Sequence, residues 1–150
     1  MTITEGRTHE FAVLGLEAYD EILALWRRAG LPVQAEGRDA PEAFGLQERR
    51  GLQRAIGIRE GGRLVAVVIL THDGRKGWVN RLAVDPDHRR RGYAAALLAE
   101  AERWFREEAG VEVYAALINA HNDASRALFD RAGYETLDIV YVRKKARPGA

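Results

Sequence analysis

The residues best suited to chemistry lie in Leu82-Ala83-Val84-Asp85-Pro86-Asp87-His88-Arg89-Arg90-Arg91-Gly92-Tyr93-Ala94. This stretch reads as a strand, a tight turn, adjacent arginines, a glycine and a helix start. Gly92 lets the backbone curl and approach a ligand closely. The N–H groups of the following helical turn, backed by the helix dipole, favour an anion. Guanidinium groups at Arg89, Arg90 and Arg91 add charge-assisted bonds to phosphate oxygens, so the combination suits a pyrophosphate. A solvated, Arg-rich helix start is the competing reading. Neither G-x-G-x-x-G nor G-x-x-x-x-G-K-[ST] occurs, so the dinucleotide fingerprint and the Walker loop are excluded.

Other polar residues are candidates with ordinary alternatives. Asn122, just before a predicted helix, either caps it or offers its amide to a ligand, with Ser125 one turn on. Asn80 and Arg81 share a predicted strand, where alternation lets one of the two face a cleft, and Asn80 is the one expected there. His72 and His121 sit at predicted strand ends with a pKa range suited to a base, or are surface histidines. The four histidines show no H-x-H or H-E-x-x-H spacing, and no metal site is expected. Cysteine is absent, which closes any acyl-cysteine route.

These residues need elements to hold them. The pattern predicts a strand over 11–14, a helix over 17–29 ended by Gly30 and Pro32, and a shorter helix starting at Asp39 with Pro41 and Glu42 in its first turn. Strands follow over 55–59, 63–72 and 78–84, joined by Gly61-Gly62 and by Asp73-Gly74-Arg75-Lys76-Gly77, as an antiparallel meander. The longest helix starts after Arg91 and stops at Gly110, with Ala94, Leu97, Leu98, Ala101 and Phe105 on one face. A strand over 111–118, a helix over 123–132 and a last strand over 134–142 complete an α/β domain on one mixed sheet.

Composition sets the outer bounds. The chain has 150 residues, 47% hydrophobic and 30% charged, so one domain with one core is the default. The predicted domain runs over 1–142, with a short basic tail over 143–150 read as a solubilising end. Lys and Arg number 23 against 22 Asp and Glu, a net +1 that supplies no global field for nucleic acid or an anionic membrane. The longest apolar run, Leu64 to Leu70, is too short to span a bilayer, and the polar start lacks a signal core. A cytoplasmic protein is expected.

Arg89-Arg90-Arg91-Gly92-Tyr93-Ala94 resembles the [RQ]-x-x-G-x-[GA] acyl-CoA signature of the GCN5-related N-acetyltransferases (GNAT). Leu82-Ala83-Val84-Asp85-Pro86 is similar to the family's L-x-V-x-P strand. Asn122-Asp123-Ala124-Ser125-Arg126-Ala127-Leu128-Phe129-Asp130-Arg131-Ala132-Gly133-Tyr134 resembles its N-x-x-A-x-x-L-Y-x-x-x-G-F segment. The likeness is closest over 65–134 and points to a small bacterial-type, single-domain member. It implies a mixed, mostly antiparallel sheet with splayed fourth and fifth strands, flanking helices, and acetyl-CoA as cosubstrate.

By the resemblance, main-chain groups of Leu82, Ala83 and Val84 pair with the pantetheine arm, and the Leu82 N–H polarises the acetyl carbonyl. N–H groups from Arg91 to Ala94 hold the pyrophosphate. Asn122 and Ser125 reach the arm, and Phe129 walls the thioester or sits in the core. Two departures stand out. Phe129 replaces the tyrosine that in many members protonates the thiolate, leaving Tyr93, Tyr114, Ser125, Tyr134 or solvent. Asn80 replaces a strand glutamate acting as base, and an amide cannot do that at neutral pH. The acceptor is expected to be a small-molecule or peptide amine, in a pocket made by 26–44, Trp78 and Tyr141. A homodimer is among the assemblies the family uses. A noncatalytic acyl-CoA-binding or regulatory module is the alternative.

Overall fold

A computed structural model of the chain describes residues 2–4 and 7–150. Two short strands, β1 (Thr2–Thr4) and β2 (Arg7–His9), pair antiparallel as a separate hairpin ahead of the predicted first strand. The main sheet then starts at β3 (Phe11–Leu14). A 3₁₀ turn at Leu16–Ala18 leads into α1 (Tyr19–Arg28), whose Ile22, Leu23, Leu25 and Trp26 are buried at helical spacing. Helix α2 (Pro41–Arg49) has Pro at its first position as predicted, but Ala40 rather than Asp39 is its N-cap. The Asp39 carboxylate instead accepts from the Gln34 N–H at 2.7 Å and from Arg81 at 2.5 Å.

Strands β4 (Gln53–Glu60), β5 (Arg63–His72) and β6 (Gly77–Val84) form the antiparallel meander. Residues 64 to 70 of β5 are all buried, which is why this run carries β-branched and apolar side chains without alternation. Helix α3 (Tyr93–Trp104) continues through a π turn at Phe105–Ala109 to Gly110, whose φ of 70° ends it. Strand β7 (Tyr114–Ala115) and α4 (Asp123–Arg131) follow. The sheet order is β3-β4-β5-β6-β7, antiparallel except for the parallel β6·β7 pair.

Two apolar clusters lie on the two faces of the sheet. One joins Ala66, Val68 and Leu70 to Leu97, Leu98, Ala101 and Phe105 of the α3 side, and the other joins Val67 and Ile69 to Ile22, Leu25 and Trp26 of α1. Alternate β5 residues therefore serve opposite layers.

Two predicted strands are corrected. The strand predicted over 111–118 reduces to Tyr114–Ala115, because β7 pairs with β6 only at Gly77↔Tyr114 and Trp78↔Ala115 and then diverges. The segment predicted as a strand over 134–142 is not in a strand, and Leu137, Ile139, Val140, Tyr141 and Val142 are exposed. β-propensity describes a residue's fit to a pleated surface and names no neighbour to provide one.

Candidate active site

Where β6 and β7 part, β6 keeps an edge without a partner strand among the described residues from Val79 to Val84. An open cleft of about 910 Å³ lies along it. Leu82, Ala83 and Val84 form one wall, Arg89, Arg90 and Gly92 one end, and facing residues of α3 and α4 much of the rest, completed by Ala29, Leu31 and His88.

The end wall is shaped by backbone conformation. Arg90 and Gly92 both adopt left-handed φ, 64° and 80°, on either side of Arg91. Gly92 is the N-cap of α3 and provides no side-chain cap, so the first-turn amides at Ala94 and Ala95 lack both a helical and a capping acceptor. Both residues line the cleft. Alternating left-handed residues before a helix make a nest of N–H groups that suits an anion. Arg89 and Arg90 line the cleft and have no carboxylate partner among the described residues, whereas Arg91 turns away to Glu60 at 3.2 Å.

Asp85 anchors this turn from below. It is 2% exposed and accepts from the Asp87 N–H and from Arg28 Nε, each at 2.9 Å. Its own N–H donates to the Val65 carbonyl at 2.8 Å, and its Oδ1 lies 3.5 Å from His88 Nδ1. The Asp87 amide foremost, and then Arg28, hold its carboxyl below the usual range against the upward pull of burial. His88 in turn lies 3.3 Å from Glu60, which also accepts from the Tyr93 hydroxyl at 2.8 Å.

Asn122 is the N-cap of α4, its Oδ1 accepting from the Ser125 N–H at 3.1 Å, and both residues line the cleft. Capping commits the carbonyl oxygen, and the amide N–H₂ remains as donor. The cleft faces of the two helices follow helical spacing: Ala95, Leu98, Ala99 and Glu102 on α3, and Asn122, Ser125, Leu128 and Arg131 on α4. Glu102 and Arg131 escaped the reading of the sequence, although their spacing from Leu98 and Leu128 was available to signal them.

Asn80, Arg91 and Phe129 are not among the cleft residues. The Asn80 amide donates to Thr71 Oγ1 at 2.9 Å and to the Trp78 carbonyl at 3.1 Å. Phe129 is buried in the core against Tyr134, ring centroids 4.9 Å apart and edge-on. The expected alternation of Asn80 and Arg81 does not apply, because β6 bulges here. Val67 pairs with Ala83 and Ile69 with Asn80, leaving Arg81 and Leu82 opposite Val68. Arg81 takes a left-handed φ of 54°.

The bulge sends Arg81 to the loop between α1 and α2. Its guanidinium bonds the Pro32 carbonyl at 2.6 Å and Asp39 at 2.5 Å, and stacks 4.4 Å from the Trp26 ring centre. Tyr19 donates its hydroxyl to the Asp39 carbonyl.

Of the hydroxyls named from the sequence, Tyr93 and Tyr134 are tied to Glu60 and Glu102. Burial first, and then those carboxylates, push both phenols up. Glu102 is itself raised by burial. Tyr114 stacks on Phe105 at 5.5 Å. Ser125 lines the cleft without a carboxylate bond among the described residues. His72 Nε2 lies 3.0 Å from the Gly51 carbonyl. His121 is exposed. Among the described residues no cluster of three or more potential metal ligands occurs, and no helix is long and apolar enough to cross a membrane.

Known proteins share this sequence and architecture. An acetyltransferase of Yersinia pestis is 24% identical over 145 residues, covering 91% of this chain and 94% of its own. A ribosomal-protein-alanine N-acetyltransferase from Brucella melitensis biovar Abortus superposes with a TM-score of 0.72 at 25% identity, covering 93% of this chain and all of its own (100%). A predicted acetyltransferase from Clostridium acetobutylicum, solved with acetyl-CoA, superposes with a TM-score of 0.77 at 12% identity over 91% of this chain and 96% of its own. The model of the acetyltransferase (GNAT) family matches residues 17–134. With the parted β6 and β7 and the left-handed turn before α3, that match establishes that the chain belongs to the acetyltransferase (GNAT) family.

Proposed function

We propose that this protein transfers the acetyl group of acetyl-CoA to a primary amine by direct attack in a ternary complex. One observation carries the reading: a single cleft joins an unpaired strand edge at Leu82–Val84 to a left-handed, arginine-bearing turn at a helix N-terminus. A strand edge suits the amide-rich pantetheine arm, which can add to it as another strand does. The turn suits the pyrophosphate, with amides at Ala94 and Ala95 and the guanidiniums of Arg89 and Arg90 as donors. The C. acetobutylicum protein was solved with acetyl-CoA, which supports the same ligand here.

In this reading the Leu82 N–H points at the thioester carbonyl and stabilises the charge that develops on its oxygen. The amine nitrogen attacks the carbonyl carbon, a C–N bond forms and the C–S bond breaks. The nitrogen gives up a proton to water, and the departing sulfur takes one from water in the open cleft. With a free thiol pKa of about 8.5, the thiolate leaves without a dedicated acid. Positioning two reactants in line supplies up to about 7–11 kcal/mol of the barrier reduction, which suits a site with no assigned general acid or base. The Asn122 amide and Ser125 orient the arm. Dependence on acetyl-CoA supports a cytoplasmic setting.

A noncatalytic acyl-CoA sensor is the second reading, favoured by the engagement of Asn80 with Thr71 and Trp78 and by the placement of Phe129 in the core. Calorimetry with acetyl-CoA, followed by thiol release over a panel of primary amines, separates the two. Saturable binding with amine-dependent release is expected. Binding without release across the panel supports the sensor, and the absence of binding by folded protein overturns both.

A further inference from the structure

The tail residues Arg143–Arg147 are largely exposed but fold back onto the loop between α1 and α2. Arg147 donates to the Glu36 carbonyl at 2.8 Å, and Gly37 packs so closely on Gly149 that a Cβ would come within 2.3 Å of its carbonyl oxygen. The tail thereby lies against the loop between α1 and α2 and borders an open surface pocket of about 340 Å³. Arg38, Arg143, Lys144, Lys145 and Arg147 line it together with Tyr141. No Asp or Glu side chain lines it, and none of these five cations forms an ion pair among the described residues. A carboxylate at Ala150, which also lines the pocket, would offset one of them. In a chain with 23 basic and 22 acidic residues, such a concentration of one sign is local.

The same loop is fastened to the cleft. Asp39, next to Arg38, holds Arg81, and Arg81 is next to Leu82 on the bulge of β6. The cationic pocket is therefore linked through two adjacent residue pairs to the position assigned to the acetyl carbonyl.

We infer that this pocket binds an anionic group, carboxylate or phosphate, carried by the acceptor amine, and so selects amines bearing a negative charge at their far end. The inference rests on the acetyl-transfer reading. Like-signed cations at a pocket wall repel a polycationic acceptor as effectively as they attract an anionic one, which gives selectivity in both directions.

The test titrates the full chain, saturated with CoA, with O-phosphorylethanolamine, γ-aminobutyrate and ethanolamine by calorimetry. Thiol release from acetyl-CoA is then measured with the same amines. The charged probes are expected to bind and ethanolamine to bind at least tenfold more weakly, and the tighter of the two charged probes identifies the anion. The triple variant Arg38→Gln, Arg143→Gln, Lys144→Gln is expected to weaken both charged probes at least tenfold, with acetyl-CoA affinity within twofold of the parent. Equal binding of all three amines, or charged-probe binding unchanged in the triple variant, overturns the inference. If the charged probes bind through the cluster but no amine releases thiol, the anion site stands and the transfer reading falls. If ethanolamine is acetylated as readily as the charged amines, the transfer reading stands and the selectivity falls.

Discussion

At Gly92 a φ of 80° places the backbone where a β-branched side chain is strained by roughly 1–2 kcal/mol. Gly92→Val is therefore expected to weaken acetyl-CoA at least tenfold in calorimetry while the protein stays folded, and unchanged affinity would mean that the turn does not hold the diphosphate. Asp85 makes a different prediction. Its pKa is depressed in the folded state, so its contribution to stability is fully present above the unfolded value, near 3.9, and is lost as pH falls below it. Thermal melts from pH 7 to pH 2 are expected to show an acid limb that Asp85→Asn flattens. Asp85→Ala strands the Asp87 amide and Arg28, at a cost of about 1–3 kcal/mol in urea unfolding at pH 7. Because the carboxylate holds the turn to which the diphosphate is assigned in the proposed reading, the same substitution is expected to lower acetyl-CoA affinity as well.

The elements combine local signals with long-range ones, and only the first kind is readable along the chain. Strand β5, helix α1 and the Gly110 stop of α3 follow from apolar spacing and a left-handed glycine, so they were legible. So were Arg89, Arg90, Gly92 and Asn122, whose types and order are themselves the signal. The bulge at Arg81 was not, since a positive φ at an arginine has no sequence mark and is held by Asp39, 42 residues away. Strand 134–142 failed for the related reason that alternation says nothing about pairing. Gly77 shows the same dependence on distant structure: a Cβ there would come within 2.4 Å of the Phe105 ring. Gly77→Ala is expected to destabilise by about 1–3 kcal/mol in denaturant unfolding, and because β6 meets β7 at this residue, to disturb the point where the two strands separate.

For the molecule as a whole, the sheet divides the work between its faces. The cleft, α3 and α4 lie with one apolar cluster, and α1 lies with the other, next to the loop that bears the cationic pocket. Arg28 of α1 reaches Asp85 at the end of β6, and Arg81 of β6 reaches the α1–α2 loop, so two polar ties cross between the layers. They differ in kind. The Asp85 tie supports the turn, whereas the Arg81 tie offsets a strained backbone conformation by holding a loop. Arg81→Ala keeps the bulge and loses the bonds, and is expected to cost about 1–3 kcal/mol of stability. In kinetics it is expected to raise the KM for amine while leaving acetyl-CoA affinity unchanged, and a change confined to acetyl-CoA would show that the loop has no part in seating the acceptor.

That tie also bears on fidelity. A thioester whose acceptor is poorly seated is left longer to water, so an enzyme lacking the arginine is expected to lose more of its acetyl-CoA to hydrolysis. Thiol appearing in excess of N-acetylated amine would record the leak, and the ratio of the two products would measure how tightly donor and acceptor are kept in step.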